Sequence, residues 1–147
     1  MKKLFIILLL SCFLLVGCGK TESNNQTKTD TKKEEVLVCS KKIENTVDFI
    51  TEMSYYFEND KIVRLGIKYV YDLSPYTEEQ RNAFGTSKMC ETESIKDTLG
   101  MVNCQEALNG TDYIVTGDSE NLLKKATGSL EANKKSYIAD GWDCTVK

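Results

Sequence analysis

Histidine is absent from this chain of 147 residues, and the absence removes whole classes of chemistry. There is no histidine general base, no Ser-His-Asp constellation and no HExxH zinc site. No CxxC occurs, which leaves a thioredoxin-type redox motif or a zinc ribbon without support. A glycine-rich phosphate loop is missing too: Gly110, Gly117 and Gly128 are scattered. The chain also lacks an excess of positive charge, with 19 basic residues against 22 acidic ones. From Val36 onward the acids predominate, and the lysine pairs 41/42, 124/125 and 134/135 are separated by acids, so no nucleic-acid partner is expected. No apolar run reaches the roughly 20 residues of a spanning helix.

What is there begins with Met1-Lys2-Lys3, a short positive start, and an apolar run from Leu4 to Val16. Charge followed by a short apolar core is the order of an export signal. The run ends in Leu15-Val16-Gly17-Cys18. This resembles the bacterial lipoprotein signal, in which a leucine, two small or neutral residues and an obligatory cysteine form the lipobox. The resemblance implies cleavage after residue 17 and a diacylglyceryl thioether on Cys18. A thiolate is the nucleophile able to take the lipid, and two acyl chains anchor a protein stably without a spanning helix. The expected location is the extracytoplasmic face of a bacterial cell membrane, with membrane lipid as partner through Cys18.

Residues 19–35, GKTESNNQTKTDTKKEE, contain no apolar side chain, and their lysines are matched by acids. Such a stretch cannot bury enough surface to fold. It reads as a solvated tether with an r.m.s. span of about 20–25 Å. The expected organisation is therefore a signal peptide (1–17), a lipidated cysteine with its tether (18–35) and one domain (36–147). That domain has room for one core and cannot supply the two lobes of a large solute receptor.

Six cysteines, less Cys12 in the leader and Cys18 at the lipid, leave Cys39, Cys90, Cys104 and Cys144. An even number in an exported domain suggests two disulfides. Of the three pairings, Cys39–Cys144 with Cys90–Cys104 is favoured, because the first pair opens and closes the domain and chain ends commonly lie close together. Sequence leaves the other two pairings open.

The polypeptide pattern points to an α+β domain. Val36 to Ser40 suits a first strand. Val47, Phe49, Thr51, Met53, Tyr55 and Phe57 share one face of a second run, and Val63, Leu65, Ile67, Tyr69 and Tyr71 share one face of a third. A three-residue turn, Glu58-Asn59-Asp60, would pair Phe57 with Lys61, Tyr55 with Val63, Met53 with Leu65 and Thr51 with Ile67. The other face, with Asp48, Glu52, Ser54, Arg64 and Lys68, should meet water. Thr77 with Gln80 forms a capping box for a helix from Glu78, presenting Ala83 and Phe84 inward. A second helical stretch is expected at Glu93 to Leu99, ended by Gly100. Asn109-Gly110 marks a turn before a strand at Asp112 to Thr116. A last helix spans Ser129 to Asp140, with Leu130, Tyr137 and Ile138 inward, Gly141 after it and Trp142 folding back. The expected fold is an antiparallel sheet built on a long β-hairpin, with two or three helices packed on one face.

Taken together, the lipobox leader, the hairpin MSYYFENDKIVRLGIKYVY, the Thr-Glu-Glu-Gln helix start and the closing SLEANKKSYIADGWDC resemble the small YehR-like bacterial lipoproteins. The resemblance implies an α+β fold and an envelope location. It implies no activity and no catalytic residues, and the stretch from Cys90 to Cys104 departs from its pattern.

Among residues that could carry chemistry, Tyr55, Tyr69 and Tyr71 fall on the apolar face and read as core. Tyr56 lies out of phase, open to a binding patch or to covering a neighbouring strand. Trp142 reads as a packing anchor. Asp118-Ser119-Glu120-Asn121, with Asp112 near, does not fit a calcium-loop frame and reads as a helix cap. The carboxylate pairs Glu78/Glu79 and Glu91/Glu93 read as solvated surface. No catalytic residue, metal ligand or cofactor is expected. The leading reading is a lipid-anchored binding or interaction module for a protein or small molecule. Its rivals are a structural or stress-related envelope protein, and a cell-wall or lipid enzyme working through carboxylates or tyrosines.

Overall fold

The computed structural model of the protein describes residues 34–147. The expected signal peptide, Cys18 and all but the last two residues of the expected tether lie outside these residues. The first strand starts at Glu34, two residues before the expected domain boundary.

Six antiparallel strands form one sheet: β1 (Glu34–Ile43), β2 (Phe49–Glu58), β3 (Lys61–Asp72), β4 (Met101–Asn109), β5 (Asp112–Ser119) and β6 (Asp143–Val146). Their spatial order is β4-β5-β3-β2-β1-β6. Between β3 and β4 lie helix α1 (Glu78–Gly85), a 3₁₀ turn (Met89–Glu91) and a π-helical turn (Ser94–Thr98). Helices α2 (Glu120–Leu123) and α3 (Leu130–Ala139) connect β5 to β6.

Period-two alternation sends Leu37, Cys39, Tyr55, Phe57, Leu65, Ile67, Tyr113 and Val115 into the core. The connections add Leu73, Ile95, Met101 and Leu130 to the same cluster. Phe84, Leu122, Leu123, Tyr137 and Trp142 pack against it.

The central hairpin exists, with a register two residues from the expected one. Its turn is shorter: Asn59 and Asp60 both take positive φ, 51° and 60°, as a two-residue type I′ turn requires. Glu58 then faces Lys61, and Phe57 faces Ile62. An even-length loop would place one apolar set on the wrong face. A β-bulge between Tyr56 and Phe57 absorbs the mismatch, so Tyr55 meets Leu65, Met53 meets Ile67 and Thr51 meets Tyr69. Val63, expected in the core, is the extra residue at the bulge and is 46% exposed.

Helix α1 keeps its capping box, with Gln80 N–H donating to Thr77 Oγ1 at 3.3 Å and Thr77 N–H to Gln80 Oε1 at 3.0 Å. Phe84 packs inward, whereas Ala83 is exposed because it lies on the solvent side of this short helix. The stretch expected as helix from Glu93 narrows to the one π-helical turn, with Ile95 buried. In α3, Leu130 is buried and Tyr137 packs on the core, but Ile138 points outward, 51% exposed. After α3 the chain closes in a Schellman motif. Gly141, at φ +78°, donates to Ile138 O at 3.1 Å, and Trp142 donates to Tyr137 O at 2.9 Å.

Strands β4 and β6 have no counterpart in the sequence reading. β6 is only four residues long and exists through its pairing with β1. In β4 a bulge between Val102 and Gln105 shifts the alternation midway. Glu106 then occupies an inward position, where its Oε2 accepts from Tyr113 OH and from Cys90 N–H, each at 2.9 Å.

Both disulfides of the favoured pairing are present. Cys39–Cys144 joins directly opposed positions of β1 and β6 across a sequence separation of 105. Cys90–Cys104 ties the 3₁₀ turn to the β4 bulge across a separation of 14.

Candidate functional site

The outward face of the sheet carries polar residues because the in-phase positions of the same strands are committed to the core. Three cross-strand rows meet there. Tyr56 stands opposite Arg64; Ser54 stands opposite Gly66, which stands opposite Asp118; Glu52 stands opposite Lys68, which stands opposite Thr116. Thr116 in turn faces Gln105 of β4. Gly66 contributes no side chain at the centre of the middle row, and the result is a hollow of about 330 Å³.

Two backbone features shape its walls. The β4 bulge holds Asn103 at φ +53° and brings it to the rim. Gly117, beneath that bulge, permits the close approach of β4, since a Cβ there would stand 2.9 Å from Val102 O and from Met101 Cγ. At Gly66 the space is open: a Cβ would lie 3.6 Å from Ser54 Cβ and 3.7 Å from both Asp118 Oδ1 and Tyr56 Cε2, ordinary contact distances.

The charged groups alternate. Arg64 Nη1 lies 3.5 Å from Asp118 Oδ1. The Arg64 guanidinium also covers the Tyr56 ring, with Cζ 3.4 Å from the ring centroid. Tyr56 is thus half-buried and capped by a cation. Glu52 and Lys68 face each other across β2 and β3, and neither takes part in an ion pair among the described residues. Beyond Gln105 and Thr116 the hollow continues into a wider, shallow depression of about 710 Å³ along β4, flanked by Ala107 and Ile114.

A second cavity, about 300 Å³, lies on the inner side between β2, β3 and the α2–α3 segment. The Tyr55 and Tyr137 hydroxyls hydrogen-bond to each other there, and Tyr137 OH approaches Met53 Sδ at 3.6 Å. Burial, and then the Tyr137 hydroxyl, push the Tyr55 phenol far above its ordinary range. Burial likewise raises Tyr69 and Tyr71. These three tyrosines sit where the sequence places them, in or against the core, and Trp142 stacks edge-on against Tyr137 at 5.1 Å between centroids.

The remaining candidates stay apart. Glu78, Glu79, Glu91 and Glu93 are exposed, and none of them lines the hollow or the inner cavity. Asp72 is held below the usual carboxylate range by hydrogen bonds from Ser74, its N–H donating at 2.9 Å. Ser119 does cap α2, accepting from Leu122 N–H at 3.2 Å while its hydroxyl donates to Leu99 O. Among the described residues, no cluster of three or more Cys, Asp or Glu could hold a metal ion, and no helix is long and apolar enough to cross a membrane. Cys18 lies outside the described residues.

Sequence reasoning placed Glu52, Ser54, Arg64 and Lys68 on the water-facing side but did not bring Asn103, Gln105, Thr116 and Asp118 to them. The signal was present in part: Gly66, in the middle of an alternating strand, marks a missing side chain on the outer face. Compared with known proteins, the chain matches no family model, no curated protein and no solved structure.

Proposed function

We propose that this protein is a lipid-anchored, extracytoplasmic binding module of a bacterial envelope. In this reading residues 1–17 are removed, Cys18 carries the acyl chains, and the following polar residues hold an α+β domain away from the membrane. The helices form one layer over the inner sheet face and leave the outer face to a ligand. The domain is of the kind the YehR-like lipoproteins represent, and the chain is not an enzyme. The two disulfides support an oxidising compartment. One observation carries the binding role: a hollow walled by polar side chains on a sheet face that the core does not use.

Labelling intact cells with radioactive palmitate tests the anchor. The label should enter the wild-type chain and vanish in Cys18→Ser, and non-reducing peptide mapping should recover both disulfides. A chain found unlabelled in the cytosol, with an uncut leader and reduced cysteines, overturns the proposal. Complementation of a deletion strain tests the binding role. Gly66→Val, which fills the hollow, should fail to complement; full complementation favours a structural envelope protein instead.

A further inference from the structure

We propose that the hollow over Gly66 binds an uncharged segment of glycan, its hydroxyls held by the interleaved side chains of β2, β3, β4 and β5. This rests on the outer face being the binding face, and names the ligand class. A saccharide hydroxyl both donates and accepts, so it needs mixed partners close together. The hollow supplies planar amides at Asn103 and Gln105, carboxylates at Glu52 and Asp118, and hydroxyls at Ser54 and Thr116.

The arrangement of charge selects against other ligands. Charges of the two signs alternate: Arg64 Nη1 lies 3.5 Å from Asp118 Oδ1, and Lys68 holds the strand position opposite Glu52 without an ion pair between them. An anionic ligand would meet the two carboxylates, and a cationic one would meet Arg64 and Lys68. A dipolar ligand finds no separated positive and negative ends to align it. A quaternary ammonium group needs an open aromatic face, and the Arg64 guanidinium already covers that of Tyr56. A neutral ligand with many hydroxyls is the class left. The volume is at the small end for ligand sites, and its continuation along β4 past Ala107 and Ile114 suits a chain lying across the sheet edge.

The full-length chain, purified in mild detergent, is titrated by calorimetry and by amide chemical shifts with three neutral probes: tetramers of N-acetylglucosamine, of glucose and of mannose. Tetragalacturonate and phosphocholine serve as charged comparisons. At least one neutral tetramer should bind with Kd of about 1 mM or tighter, shifting the amides of Ser54, Gly66, Asn103 and Thr116. Gly66→Val should weaken it at least about tenfold by occupying the hollow. Asn103→Gly, which keeps the positive φ and removes the amide, should weaken it about threefold or more. Lys135→Gln on α3 should change nothing. Absence of binding by all three neutral tetramers overturns the proposal. So does binding untouched by both hollow variants, or tighter binding of either charged probe. Palmitate on Cys18 is read on the same preparation. A labelled chain that ignores all three sugars therefore sinks the ligand class alone, and sugar binding by an unlabelled chain sinks the anchor alone.

Discussion

Tyrosine is the residue on which the inner side of this domain depends. Tyr55, Tyr69, Tyr71 and Tyr113 all have phenols raised above the ordinary value of 10.0, with burial the first cause in each. An acid whose folded pKa is raised favours the folded state while it stays protonated. Below about pH 10 both states keep the proton, and the contribution is complete. Above it the unfolded chain releases protons that the folded chain still holds, so stability falls with rising pH. We expect the urea midpoint to hold steady between about pH 7 and 9 and to decline from about pH 10 upward. Tyr55→Phe should make that alkaline decline shallower, and an unchanged slope would contradict the assignment.

At the scale of elements, the hairpin register and the end of α3 yield sharp expectations. Leu65 is 1% exposed and faces Tyr55, so Leu65→Ala should cost about 2–5 kcal/mol in a denaturant titration. Val63 sits at the bulge, 46% exposed, and Val63→Thr should stay within about 0.5 kcal/mol. The register with Val63 opposite Tyr55 would bury Val63 as well as Leu65 and make both substitutions costly. Gly141 closes the Schellman motif at φ +78°. Gly141→Ala should cost about 1 kcal/mol, read as a lower midpoint with an unchanged slope. The parity argument for the hairpin was legible in sequence; the means of satisfying it was not. A three-residue loop and a two-residue loop with a bulge both keep the apolar sets together. The choice between them rests on Asn59 and Asp60 tolerating positive φ and on the Asp60 carboxylate, which accepts from Leu130 N–H at 2.9 Å at the start of α3.

For the molecule as a whole, the two disulfides act on rings of very different size. In the chain-entropy account, the bridge spanning 105 residues contributes about 4.7 kcal/mol and the bridge spanning 14 about 3 kcal/mol. The double replacement Cys39→Ala with Cys144→Ala should therefore lower the non-reducing urea midpoint more than Cys90→Ala with Cys104→Ala. Equal losses would show that ring size is not what sets the effect. Cys39–Cys144 also fastens the edge strand β6 to β1, where Val36 and Lys147 exchange backbone hydrogen bonds of 3.2 and 2.9 Å. The short bridge acts locally, holding the β4 bulge whose Asn103 rims the candidate site.

The amino-acid sequence by itself determined the central strands, the helix caps and the core tyrosines, and it favoured, among three, the cysteine pairing that the structure holds. Each depends on local periodicity, on cap and turn residues, or on where chain ends fall in a small domain. Only the tertiary structure decided that Met101–Asn109 and Asp143–Val146 are strands. In the first, a bulge and an inward Glu106 break the alternation. The second is too short to declare itself without β1 beside it. The candidate site belongs with these late decisions: Gly66 is visible in its strand, but Asn103 and Asp118 reach it only through pairings between segments distant in the chain. Hydrogen bonds between strands carry no trace in local composition, and the hollow is made of them.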